Sequence, residues 1–218
     1  MTVHFVHLLD ELQRRSLRMA SAVEDMVQEA CEAVAHTNHE LARRIIARDT
    51  DIDAEEVAVE GEALRLMTLF QPMGADMRQL CAILKVNNDL ERIADCAVNM
   101  AERARHLDAD APADVRNELT AIFPAVRRML HEAVRAYAGN DQTLAERVLT
   151  EDEVIDTFYG EFIRNIAALA HQSPERMHAL LDYLSIAKNL ERIADHASNV
   201  AEDVIYLTTG QIVRHQGK

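Results

Sequence analysis

Little in this chain is suited to breaking a helix: 218 residues include six Gly and four Pro, and aromatics make up 4%. So few turn formers argue against the many short strands and tight turns of a sandwich or barrel, and no β-rich alternation stands out. Cysteine is scarce too. Cys31, Cys81 and Cys96 form an odd set without CxxC spacing, which argues against a disulfide framework and points to a reducing cytoplasm, with the thiols as small core residues. Basic side chains are outnumbered, 23 Lys and Arg against 37 Asp and Glu, giving a formal net charge of −14 and a pI near 5.1. Nucleic acids and anionic lipids need a basic footprint, so they are excluded as direct ligands, and any membrane contact is expected only through partners. No apolar run is long enough to span a bilayer, and the first residues lack the basic, apolar, small-residue order of a signal peptide. A nucleophile elbow, a Gly-rich phosphate loop and triad spacing are also missing, so no enzymatic activity is expected.

What is present is a repeat. Leu90-Glu91-Arg92-Ile93-Ala94-Asp95 recurs as Leu190-Glu191-Arg192-Ile193-Ala194-Asp195, and Ala97, Asn99, Ala101 and Glu102 recur as Ala197, Asn199, Ala201 and Glu202. Upstream the offset becomes 103: Glu29, Leu41, Arg44, Asp49, Ile52 and Asp53 correspond to Glu132, Leu144, Arg147, Asp152, Ile155 and Asp156. The change of offset falls at Gln71-Pro72-Met73-Gly74 and His171-Gln172-Ser173-Pro174, which are helix-breaking neighbourhoods. A period of this size means two copies of one domain-sized unit.

Within each copy the apolar residues keep helical spacing. Leu90, Ile93, Ala94, Ala97 and Ala101 share a face, as do Leu190, Ile193, Ala194, Ala197 and Ala201. Turn signals at His36-Thr37-Asn38-His39 and Ala138-Gly139-Asn140-Asp141 divide each half further, leaving three helices per half, each of roughly thirty residues, a length suited to side-by-side packing. Pro124 should occupy a first helical turn or kink its helix, and Gly210 should cap the last helix. The apolar period lapses between Leu107 and Asn117. The expected organisation is a first bundle over 1–108, a second over 114–210 and a tail over 211–218.

The carboxylates carry the chemistry. Glu91, Asp95 and Glu102 lie within about 40° on a helical wheel, at the border of the apolar face, and should be partly buried. Asp49, Asp53, Glu56 and Glu60 form a second stripe, whose copy keeps Asp152 and Asp156 and then has Tyr159. Like charges one turn apart destabilise a helix, so something must neutralise them. Neighbouring Arg and Lys could do so, but the same pairs in both copies favour a carboxylate-lined cation site. All-oxygen ligation suits a hard cation such as iron, manganese, magnesium or calcium. A ferritin-like di-iron enzyme would carry Glu-x-x-His, whereas Ala94 and Ala194 stand at those places. His196, opposite Cys96 in the repeat, points about 100° away from Asp195 and reads as an ordinary surface or core imidazole.

The two tandem signature segments, Asp49-x-x-Ile52-Asp53-x-x-Glu56, Gln71-Pro72 followed by Asp76-x-Arg78, and the closing Tyr206-Leu207-Thr208-Thr209-Gly210 resemble the PhoU family over essentially the full length. Ala94 and Ala194 stand where that family usually has Gly, and Met77 where it usually has Leu. The resemblance implies an all-α fold of two tandem three-helix bundles related by a pseudo-twofold axis. It also implies multinuclear metal held by acid-x-x-x-acid motifs, which here are Asp49 and Asp53 with Glu91 and Asp95, and Asp152 and Asp156 with Glu191 and Asp195. No organic cofactor is implied. The implied role is a cytoplasmic negative regulator of the phosphate-starvation response and modulator of phosphate uptake, linking the ATPase subunit of the phosphate ABC transporter to a phosphate-sensing histidine kinase. A homodimer is the expected assembly. A carboxylate-bridged metalloenzyme and a purely structural helical scaffold are the alternative readings.

Overall fold

The computed structural model describes residues 3–107 and 112–213. Among these the chain forms seven α-helices: α1 (Val3–His36), α2 (His39–Phe70), α3 (Ala75–Ala104), α4 (Ala113–Thr120), α5 (Phe123–Gly139), α6 (Gln142–Gln172) and α7 (Met177–Thr209), with a 3-10 turn at Pro174–Arg176 before α7. Helices α1, α2 and α3 pack on one another, as do α5, α6 and α7, and α4 rests against α7 and α1. The expected all-α fold of paired bundles is therefore the observed one. The stretch Asp108 to Ala111, where the boundary between halves was expected, and the tail beyond Val213 lie outside the described residues.

The corners between first and second helices are copies of each other at the level of backbone bonds. Thr37 (φ 50°) and Asn140 (φ 49°) both turn left-handed. The next residues, Asn38 and Asp141, return N–H bonds of 2.9 Å to the carbonyls of Ala33 and Ala136. Their side chains then cap the following helix, Asn38 Oδ1 accepting from Leu41 N at 3.1 Å and Asp141 Oδ1 from Leu144 N at 3.0 Å. Short polar side chains at this place satisfy otherwise orphaned amides, which is why α2 and α6 begin where they do. Gly210, at φ 77°, terminates α7 and donates its N–H to Tyr206 O at 2.8 Å.

One expectation is corrected. The first arm of the second half is not a single long helix but α4 and α5, separated by a turn at Ala121 and Ile122. Pro124 is the cause: it has no N–H to give and its ring would strike the carbonyl of Thr120, the last residue of α4, so it sits instead in the first turn of α5.

Helices α3 and α7, which carry the signature segments, pack against each other in the middle of the molecule. Arg103 reaches Asp182 (3.7 Å), Asp89 accepts from His196 Nδ1 (2.8 Å) and Lys85 reaches Asp203 (2.9 Å). Numbers rise along one helix as they fall along the other, so the pair is antiparallel. Equivalent positions of the repeat oppose each other around Ile93 and Ile193, the geometry of a pseudo-twofold axis through the signature. Both isoleucines are fully buried, as are Leu90, Ala97, Ala101, Ala197 and Ala201. Burying each Leu or Ile stabilises by about 1.5–3 kcal/mol, and the alanines let the two backbones approach closely.

Candidate metal centre

The same helices place the acids. Apolar side chains fix one face of α3 and of α7 inward, so residues at the edge of that face stand at the shoulder where α2 and α6 pack alongside. Glu91, Asp95, Asp49 and Glu56 are half-buried there, as are Glu191, Asp195 and Asp152, whereas Asp53, Asp156 and Glu102 are exposed. For Glu102, two residues from the end of α3, the expected partial burial is therefore not found.

In the first half the acids press on one another. Partial burial, then the charges of Asp53, Asp95 and Glu102, raise the Asp49 carboxyl above its ordinary range. Burial and Asp95 raise Glu91, with Arg92 opposing and with Asp53 and Glu56 adding to the shift. Glu56 is raised by burial, Glu60 and Asp53. Arg92 holds two of the group, its Nε at 2.9 Å from Glu91 and its Nη1 at 3.1 Å from Asp95. Among the described residues, Asp49, Asp53, Glu91 and Asp95 supply no three carboxylate oxygens within 4.8 Å of one another.

The second half converges. Oxygens of Asp156 from α6 and of Glu191 and Asp195 from α7 lie within 4.8 Å of one another, the one such group of three among the described residues. A hard cation takes oxygen ligands at about 2.0–2.6 Å, so donors this close can share one ion. The donor chemistry fits as well, being all carboxylate. Asp152 stays outside the trio and lines the adjoining groove between α3, α6 and α7 with Arg192, Asp195 and Glu202.

The sequence reading missed one residue at this centre. Lys188 donates to Glu191 Oε2 at 2.5 Å and lies 5.2 Å from the centre of the Tyr159 ring. Burial pulls its ammonium down, but the bond to Glu191 and the charges of Glu191, Tyr159 and Asp195 outweigh that and raise it. The i, i+3 spacing of Lys188 and Glu191 was the available signal. His196, taken as an ordinary imidazole, is tied to the buried Asp89 across the junction of the bundles, with Asn199 Nδ2 donating to the same oxygen at 3.1 Å. The repeat puts Cys96 and Asn189 at the places of His196 and Asp89, so this link exists on one side of the axis only; burial pushes the Cys96 thiol up to about 11.

Comparison with known proteins settles which family builds such paired bundles. The PhoU domain model matches residues 16–104 and again 119–204. The chain belongs to the PhoU family. Its curated relatives include the phosphate-specific transport system accessory protein PhoU homolog of Aquifex aeolicus (strain VF5), 35% identical over 95% of this chain and 94% of that one. The homolog of Caulobacter vibrioides (strain NA1000 / CB15N) is 33% identical over 99% and 96%. Among solved structures, PhoU from Pseudomonas aeruginosa aligns with a TM-score of 0.92 at 32% identity, covering 95% of this chain and 100% of that one. The phosphate transport system regulatory protein PhoU from Streptococcus pneumoniae aligns at 0.89 and 28% identity, covering 96% and 99%. Membership over both repeats fits the doubled acid motifs and the antiparallel α3 and α7. No described helix is long and apolar enough to cross a membrane.

Proposed function

We propose that this PhoU-family chain is a cytoplasmic negative regulator of the phosphate-starvation response that also modulates phosphate uptake. It would act as an adaptor between the ATPase subunit of the phosphate ABC transporter and a phosphate-sensing histidine kinase, in a homodimeric form, with hard cations such as iron, manganese or magnesium held on its acid motifs. Relatives named as accessory proteins of phosphate-specific transport support the setting. The observation that carries the metal-dependent part is the convergence of Asp156, Glu191 and Asp195 at the edge of the junction helix α7. A cation there would tie α6 to α7, and so bind ligand chemistry to the helix that joins the bundles. A purely structural reading finds its support in the first half, where Arg92 already pairs with Glu91 and Asp95.

Deleting the gene should switch phosphate-starvation genes on at high phosphate, read with a reporter. Returning the native chain should silence them, and returning Asp156→Asn/Glu191→Gln/Asp195→Asn should not. Full silencing by the triple variant would leave the regulator without need of this centre, and a deletion strain with an unchanged reporter would remove the regulatory reading. Elemental analysis of protein purified without chelator measures whether metal is carried at all.

A further inference from the structure

The two acid centres are built from equivalent helices but differ by a coupled pair of residues. In the first half Glu56 and Asn88 occupy the places that Tyr159 and Lys188 hold in the second. An acid and a neutral amide are thereby exchanged for an aromatic ring and an ammonium group, and in the structure those two touch: the Lys188 ammonium lies 5.2 Å above the Tyr159 ring while bonded to Glu191 at 2.5 Å. Asp195, the second α7 member of the converging trio, adds its charge to the same ammonium. A surface Lys–Glu pair at i, i+3 contributes little and stays mobile. The Lys188 side chain is itself 46% exposed, but its ammonium is placed by the Tyr159 ring and the bond to Glu191, within reach of the Asp195 charge, so a cation bound to that trio would be repelled by it.

On this basis we propose that Lys188 is a tethered counter-cation of the second acid centre, which a metal ion must displace to bind there. The inference rests on reading Asp156, Glu191 and Asp195 as a cation site. It makes the two halves inequivalent: in the first the counter-cation is the Arg92 guanidinium on Glu91 and Asp95, whereas the second is partly neutralised by Lys188 and takes up a hard cation only by releasing that ammonium from Glu191 and the Tyr159 ring. Metal entry is thereby converted into a change of surface charge on α7, the release of Lys188 from its ion pair with Glu191. The first half, with Glu56 and Asn88, contains no lysine that could respond in this way.

The chain has three lysines, Lys85, Lys188 and Lys218, so acylation of amines followed by mass spectrometry can read each one. In the full-length protein the Lys188 amine, held as an ion pair with Glu191, should react slowly in the absence of metal and become several-fold more reactive on addition of Mn²⁺, with Lys85, paired to the buried Asp203, as an internal reference. Asp156→Asn should abolish that response. Lys188→Asn, which installs the residue of the first half, should tighten Mn²⁺ binding about tenfold at low ionic strength, the order of one lost contact with a charged group, as measured by electron paramagnetic resonance of free Mn²⁺; Lys188→Gln should do the same. If Mn²⁺ binds and Asp156→Asn weakens it, but Lys188 reactivity and the affinity of the Lys188 variants do not change, the tethered cation is overturned and the metal site stands. If neither the native chain nor any variant binds Mn²⁺, both are overturned.

Discussion

At single residues the repeat acts as an internal mutagenesis experiment. Thr37 and Asn140 occupy the same left-handed corner, but a β-branched side chain is poorly suited to positive φ whereas Asn tolerates it. Thr37→Asn should therefore stabilise the protein by about 0.5–1 kcal/mol, since the new amide oxygen can still accept from Arg116, which now donates to Thr37 Oγ1 at 3.2 Å. Asn140→Thr should cost a similar amount, and each should move Tm by about 1–4 °C in opposite directions. Asp49 offers a second test, at the acid centre. Burial and three neighbouring acids raise its carboxyl, so the folded state holds its proton more tightly than the unfolded one. That contribution to stability is present below the unfolded carboxylate range near pH 4 and is lost as pH rises through the raised value, leaving a net penalty at pH 7. Asp49→Asn should accordingly raise the metal-free Tm at pH 7 and give no gain at pH 3. A variant that melts lower at both pH values would reveal a structural bond made by this carboxylate.

Among the helices, what the sequence discloses follows from periodicity, and what it hides follows from having two inward faces. The corners, the caps Asn38 and Asp141, and the role of Pro124 could be anticipated because each is a local matter of backbone groups needing partners. The antiparallel pairing of α3 with α7 could not. A helix apolar on most of its circumference reveals that it is central, but not which neighbour lies on which side. Nor does spacing disclose the contacts the acids make: Arg92 pairs with Glu91 and Asp95 in the first half, Lys188 with Glu191 in the second, and oxygens of Asp156, Glu191 and Asp195 come within 4.8 Å of one another. The junction itself rests on polar links as well as alanines. Asp203 is 1% exposed and bonds to Lys85, whose ammonium also lies 4.6 Å from the centre of the Tyr206 ring. Lys85→Met removes a charge-assisted bond from a buried carboxylate, and about 2 kcal/mol should be lost, since one member of the pair keeps contact with water. Lys85→Met combined with Asp203→Leu should recover much of that loss. Equal destabilisation by the single and double variants in denaturant melts would show that Asp203 does not depend on Lys85.

For the molecule as a whole the consequence is a gradient of stability from the junction outward. Helix α3 packs on α1, α2 and α7, and α7 packs on α3, α4, α5 and α6, whereas α2 leans mainly on α1 and α3 and α6 on α5 and α7. Opening α2 or α6 exposes one face of one bundle; opening α3 or α7 dissolves both cores at once. Amides around Leu90, Ile93, Leu190 and Ile193 should therefore exchange with solvent only through global unfolding, while those in the middle of α2 and α6 exchange at a lower free energy through partial opening. A cation shared by Asp156, Glu191 and Asp195 would cross from α6 to α7. Because a ligand that binds only the closed form raises its stability by mass action, Mn²⁺ should slow exchange in α6 until it approaches α7, and leave α1 and α5 almost unchanged. Hydrogen exchange read by mass spectrometry with and without Mn²⁺ distinguishes the possibilities. Protection spread evenly over all helices would mean that the ion acts by screening the −14 net charge, and protection of α2 without α6 would move the preferred centre to the first half, where Glu91 and Asp95 would have to turn away from Arg92 to meet it alongside Asp49 and Asp53.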